Sequence, residues 1–415
     1  MEKVKATRSV IHAKIHLWSC LCIAFLLPLA QYVSVFIVLL MLNFLLEGEL
    51  KTKIIAVSKN GIALLFISFY LLFLIGLIYT QNMHSGLFDV QIKLSILLFP
   101  IIFSAKPTNE SDKQKIIAAF VLGCFSASAL MILRATHTFF TIGENIFFYE
   151  AFASFIIHPS YISMYINLAI IWMLRGNAKN IFQDKKLAKI ISAISVFYFT
   201  IIVVLLSSKL GIISLLLIYL LFGIRYIVQT KKIKILGIAI IAAWVASFVI
   251  IKYIPEVNER FKNAINAVSE SKPDKTNAES SAVRLLVWKA ATTIIHENIF
   301  IGVGTGDVKD ELMKKYQQLG YTGAYKHKLN AHNQFLQTGI ALGIIGILFL
   351  IITLVLPAYI SWQQNNYFYV CLIVLLSFNF LTESMLETQS GVMFYAFLSS
   401  LLFFRKNEEI EIHNH

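Results

Sequence analysis

The chain has 415 residues, of which 58% are hydrophobic and only 14% charged, where a soluble domain carries roughly a quarter charged residues. Its apolar residues fall in blocks of roughly 18 to 20, each long enough to cross about 30 Å of hydrocarbon as a helix. These figures exclude an ordinary soluble protein and define the fold class as all-α, a polytopic membrane protein. The net charge of +13 does not mark a nucleic-acid binder, because the Lys and Arg sit in short clusters between apolar blocks, where they set membrane orientation. Cys20, Cys22, Cys124 and Cys371 all lie in or against apolar stretches and read as buried small hydrophobes, with neither a metal site nor a disulfide framework.

In chain order the hydropathy pattern predicts about twelve spans, near 16–30, 32–46, 62–80, 88–104, 115–133, 158–175, 188–207, 210–228, 234–252, 333–357, 366–382 and 388–404. The first two are short and interrupted by Pro28 and Gln31, which suits a re-entrant hairpin or two tilted spans. The N-terminal apolar stretch follows Lys3, Lys5, Arg8 and Lys14 without a small-residue cleavage site, so it is expected to stay attached as an anchor. Placing the N-terminus in the cytoplasm puts the clusters at 47–61, 105–115, 175–189 and 225–234 and the pair Arg405 and Lys406 on one side. The positive-inside bias of short loops then predicts both termini cytoplasmic. It also divides the chain into helices 1 to 9 over 1–252, one long outward loop over 253–331, and helices 10 to 12 with a cytoplasmic tail over 332–415. In a bacterium that loop faces the periplasm.

The loop is the one segment of soluble-looking composition, and function is expected there. Residues 256–268 read as a short helix and Lys272–Asn277 as a polar turn. Ser280 or Ser281 then caps a helix running to about Asn298. Val283, Leu286, Val287, Ala290, Ile294 and Ile295 share one face of it. Arg284 and Trp288, four apart, share an adjacent one, a pairing that suits an anionic ligand. Gly302-Val303-Gly304-Thr305-Gly306 makes a flexible turn. A nucleotide-loop reading is disfavoured, because no buried strand precedes it and the acidic first turn of the next helix (Asp307, Asp310, Glu311) repels phosphate. Asp307 is expected to cap that helix, which ends near Gly320.

His332-Asn333-Gln334-Phe335-Leu336-Gln337 opens the tenth span at the outer surface. The positive end of a helix dipole favours the neutral imidazole, the form that accepts a proton; a capping histidine is the plainer alternative. Asn333 and Gln334 are candidate substrate contacts, although such residues more often orient neighbours than react. His158 and Tyr161, at the start of the sixth span, are candidates to line a glycan or acceptor groove. Lys93, in the fourth span, is costly in lipid and is expected to face a polar cavity, where it would meet a diphosphate or headgroup. Glu383 and Glu387, between the last two spans, read as a solvated turn.

Arg284-Leu285-Leu286-Val287-Trp288, then Ile299-Phe300-Ile301-Gly302-Val303-Gly304-Thr305-Gly306, then the His332–Gln337 run before a span bearing Gly339, Gly343 and Gly346, resembles the O-antigen ligase and O-antigen polymerase family. The three ordered motifs cover about 284–346, and the expected twelve spans with one long outer loop match over the whole chain. The resemblance implies a glycosyltransferase that moves a glycan from a polyprenyl (undecaprenyl) diphosphate carrier onto an acceptor at the outer face of the bacterial inner membrane. No cofactor, metal, nucleotide or nucleic acid is implied. By resemblance His332 activates the acceptor hydroxyl and Arg284 binds the diphosphate. A second basic residue, usually in a Ser-Arg turn, corresponds to Lys209 in Ser207-Ser208-Lys209-Leu210-Gly211; lysine keeps the charge but loses the bidentate fork. The chemistry is coherent on its own terms: fixed cations stabilise charge developing on a departing diphosphate, and a histidine takes the proton of the incoming hydroxyl, inverting the anomeric centre. The acceptor is expected to be a lipid A-core sugar; a growing glycan, as in a polymerase, or a protein hydroxyl uses the same chemistry. A lipid-linked sugar transporter or flippase is the alternative of another class, and it predicts related halves with midplane charges.

Overall fold

The computed structural model describes residues 2–180, 184–230, 258, 262, 275–276 and 281–405. Every regular element among them is helical. The ninth span at 234–252 and most of the predicted 256–268 helix and 272–277 turn fall outside the described residues.

Helix α1 (Glu2–Leu26) continues through a 3-10 turn at Leu27–Leu29 opened by Pro28. The apolar segment Thr7–Leu29 is therefore 23 residues, long and apolar enough to cross a membrane, and longer than the short first segment read from the sequence. Pro28 sits where its missing N–H costs nothing. Helix α2 (Val33–Leu46) packs back on α1, and then the chain bends by 110° into α3 (Leu50–Ser58). Gly48 at φ +90° and Glu49 at φ +56° make that bend. There follow α4 (Gly61–Gly76), α5 (Met83–Lys93) and α6 (Ser95–Ala105), the last two forming one 23-residue apolar stretch. Helix α7 (Glu110–Ile142) runs 33 residues, well past the predicted end at 133, and Gly143 in the left-handed region stops it. After the short α8 (Tyr149–Ala153) come α9 (Pro159–Leu174), α10 (Lys185–Leu205) and α11 (Lys209–Thr230).

The described part of the long loop holds α12 (Ser281–Glu297), α13 (Val308–Leu319) and α14 (Thr322–Lys326). The chain ends in α15 (Gln334–Gln363), α16 (Tyr367–Phe380) and α17 (Gln389–Phe403). Five described segments are long and apolar enough to cross a membrane, six if the bent α2–α3 pair counts as one, and five shorter apolar helices accompany them. The protein is a multi-pass helical membrane protein.

Helices α9 and α17 are buried along almost their whole length, as expected of helices apolar all round. Tyr165 on α9 stacks on Phe394 of α17, ring centroids 4.4 Å apart, and Phe397 packs against Phe99 and Phe103 of α6. One end of this bundle is basic: Lys53 and Lys106 pair with Glu47 at the α2–α3 bend, and Lys113 donates to the Phe404 carbonyl beyond α17. The opposite end carries the N-termini of α9, α15 and α17 and the C-terminus of α16.

The glycine turn is docked rather than flexible. Helix α15 is broken at Gly343, at φ +63°, which strands backbone groups of a membrane segment that lipid cannot satisfy. Residues 299–304 satisfy them: Val303 N donates to the Ile340 carbonyl (2.9 Å), Gly304 N to Ala341 (3.0 Å), and Ile344 N to Ile299 (2.7 Å). A Cβ on Gly302 would lie 2.4 Å from the Ala341 carbonyl carbon, and one on Gly343 2.4 Å from that of Phe300. These two glycines serve close backbone approach. Asp307 does not cap its own helix with its side chain; its carboxylate accepts from Gln81 N (2.8 Å) and Asn82 N (2.7 Å) ahead of α5.

Candidate functional site

Helix α12 forms as its periodicity predicts, with Val283, Leu286, Val287, Ala290 and Ile294 buried against α15. Arg284 and Trp288 are half-buried beside that face. The Arg284 Nη2 donates to Glu383 Oε1 at 2.8 Å, and Glu383 Oε2 lies 3.4 Å from His332 Nδ1. One carboxylate thus bridges the guanidinium of α12 and the imidazole ahead of α15. The Glu383 side chain is only 11% exposed, whereas Arg284 is 37% and His332 25% exposed. Glu383 is therefore no part of a solvated turn. Burial pushes its carboxyl upward, but the His332 hydrogen bond and the nearby Arg284 and His158 outweigh that and hold it below the usual carboxylate range.

His332 stands two residues ahead of α15 at φ +44°, a left-handed conformation uncommon for a residue with a Cβ. Its neighbours hold it there. His332 N donates to Asn330 Oδ1 (2.9 Å), and Ala331 N to Gln337 Oε1 (3.0 Å). Asn333 is the N-cap, accepting from Leu336 N (3.0 Å) while its amide donates to the Leu381 carbonyl (3.0 Å). Asn333 N donates to Ser384 Oγ (3.2 Å), and Gln334 Oε1 accepts from Leu386 N (2.6 Å). The His-Asn-Gln-x-x-Gln run is thus a staple between two turns, and the amide groups of Asn333 and Gln334 are engaged by protein.

His158 precedes α9 and caps it, its Nδ1 accepting from Ser160 N at 3.3 Å, while Nε2 lies 3.6 Å from Glu150. Burial lowers its proton affinity, only partly countered by Glu383 and Glu150. Tyr161 meets the His158 ring edge-on at 6.2 Å. Lys209 opens α11, on a turn where Gly211 packs against Ser163 of α9 and the Gly211 carbonyl accepts from Asn167. Lys93 does not face an open polar cavity: it is fully buried, paired with Asp89 and with Glu387 at 3.2 Å, and 4.9 Å from the Phe73 ring centre. Trp288 keeps its indole N–H buried without a hydrogen-bond partner among the described residues.

A multi-pass helical protein with a histidine, an arginine and a shared carboxylate at the helix ends of one face is equipped to hold an anion beside a proton acceptor. Residues 194–351 match the family model described as O-antigen ligase. The match includes Lys209, Arg284, Trp288 and the His332–Gln337 run, and stops before Glu383. No curated protein matches the chain. That match supports glycan transfer of the ligase or polymerase type.

Proposed function

We propose that this protein is an O-antigen ligase-like glycosyltransferase of the bacterial inner membrane. It takes a glycan from undecaprenyl diphosphate and joins it to a lipid A-core sugar hydroxyl at the periplasmic face. The observation that carries this reading is the meeting of Arg284 and His332 on one carboxylate, at the end of the bundle opposite the basic Lys53, Lys106 and Lys113 end. Positive charge favours the cytoplasmic side, which supports a site end facing the periplasm and cytoplasmic termini; twelve crossings belong to the same reading.

Arg284 binds the diphosphate through its guanidinium, with Trp288 beside it, and Lys209 adds a second cation from the start of α11. Charge that grows on the departing diphosphate is stabilised by these fixed groups. His332 takes the proton of the acceptor hydroxyl. The acceptor oxygen bonds the anomeric carbon as the carbon–oxygen bond to diphosphate breaks, which inverts the configuration and requires no metal. His158 and Tyr161 flank the acceptor side, Lys93 holds the turn that carries Glu383, and Asn333 and Gln334 hold His332.

The test is deletion of the gene, with surface lipopolysaccharide resolved by chain length and carrier-linked glycan extracted from the inner membrane. Long glycan held on the carrier over a bare lipid A-core is the expected result, restored by the wild-type gene and not by His332→Ala. A core bearing single repeat units would identify a polymerase, and an unchanged profile would sink both.

A further inference from the structure

We propose that Glu383 is the positioning residue of this site: a single carboxylate that orients His332 through Nδ1 and holds Arg284 until an incoming diphosphate takes that arginine over. This rests on the transfer reading above. Three observations carry it.

The first is connectivity. Glu383 and His332 sit on two turns fastened together by Asn333 and Gln334, with hydrogen bonds to Ser384 Oγ, the Leu381 carbonyl and Leu386 N. The imidazole and carboxylate therefore belong to one rigid unit, whereas Arg284 comes from a separate helix and reaches it through one Nη2 contact.

The second is asymmetry of exposure. The carboxylate is buried while both of its partners reach solvent, at 11% against 37% and 25%. A ligand can reach the cations and not the anion. A guanidinium has five donors, so a diphosphate can recruit Arg284 at its open side and compete for the nitrogen now on Glu383.

The third is the backbone. His332 is held at φ +44° by bonds on both sides of it, strain of the kind that persists where surrounding structure over-determines a conformation. With Nδ1 turned to Glu383, Nε2 is the nitrogen left to take a proton. During transfer the acceptor O–H bond breaks and an Nε2–H bond forms, so the imidazolium's Nδ1–H then faces a carboxylate of opposite charge. When diphosphate has drawn Arg284 away, Glu383 is less neutralised and stabilises that imidazolium more, so donor binding primes the base. Among the described residues, charged groups near the pair include His158 ahead of α9 with its partner Glu150 on α8, and Glu387, which Lys93 of α5 neutralises from the other end of the same turn.

The test uses full-length protein in membranes. Diethyl pyrocarbonate acylates neutral imidazole, and the extent of modification of the peptide containing His332, measured by mass spectrometry against pH, gives a titration midpoint. Glu383→Gln is expected to move that midpoint down by about one pH unit or more, the size expected for loss of a close opposite charge, and Glu383→Asp to keep most of it. Inorganic pyrophosphate is expected to move the wild-type midpoint up. In transfer, Glu383→Gln is expected to lower kcat on the order of a hundredfold through misorientation with little change in KM for the donor, and Glu383→Asp to recover part of it. An unchanged midpoint in Glu383→Gln overturns the proposal. If that variant does not accumulate, Arg284→Gln serves: its midpoint should rise, and no movement overturns the link. The titration needs no donor glycan, so a shifted midpoint in a protein that transfers nothing would defeat the transfer reading alone, and normal transfer with an unmoved midpoint would defeat this proposal alone.

Discussion

Glu383 and Glu387 lie four residues apart on one turn and do opposite things. Glu387 meets Lys93, whose side chain is wholly buried and also holds Asp89. Glu383 meets Arg284 and His332, both partly open to solvent. A buried cation that already has two carboxylates gains nothing from a ligand and loses much if either partner goes. A buried anion with two reachable cations leaves those cations open to exchange. What separates fastening from function in this pair is which member of the ion cluster water can touch, and charge alone does not tell them apart.

The comparison is broken most directly from the Glu383 side. Transfer measured in membranes should fall about 10²- to 10⁴-fold in His332→Ala, the usual contribution of a positioned base, while the thermal unfolding midpoint stays near wild type; a large loss of stability would make His332 a structural residue. Lys93→Ala gives the mirror image. It leaves the half-buried Asp89 and Glu387 without their cation. Loss of one member of a fully buried pair costs about 3–5 kcal/mol, so stability should fall by up to that much, and yield and Tm should drop with it. Transfer per folded molecule should fall less than in His332→Ala, and an unaltered Tm would contradict the fastening role. Arg284→Lys sharpens the contrast by keeping the charge and losing the fork. Its expected mark is about a tenfold rise in KM for the donor, worth roughly 1.4 kcal/mol, with kcat little changed; a fall in kcat alone would put Arg284 in the transition state only.

How much of this was legible depended on distance along the chain. The face of α12 could be read from spacing, because Val283, Leu286, Val287, Ala290 and Ile294 repeat at helical period. His332 could be placed at a helix start, because the apolar run of α15 begins beside it. The break at Gly343 could not, since Leu342 and Ile344 are as apolar as any span, and only the docked 299–304 segment shows why the helix gives way there. Glu383 is 51 residues from His332, in a turn too short for local pattern to reveal burial. The signal that was present is weaker: an acidic residue at the end of a span, on the side where short loops carry few basic residues.

The smallest effect is the pH response of stability on the site face. The His158 imidazole has its proton affinity lowered chiefly by burial, against the pull of Glu383 and Glu150. A base whose folded pKa lies below its unfolded value favours the folded state least when protonated. Its contribution is therefore complete above about pH 6.5, the free imidazole value, and is lost as pH falls from there toward the folded value. Glu383, also depressed, contributes in the same sense but lower down, keeping its ion pair through the ordinary carboxylate range and losing it only as pH falls below that. The two windows separate the groups. Between pH 7.5 and 5.5 the Tm of the wild type in detergent should decline through His158, and His158→Asn, which can still cap α9, should decline less. The difference should be modest, because the His158 side chain is 38% exposed and water screens its charge. An equal decline in both proteins would remove His158 from the account.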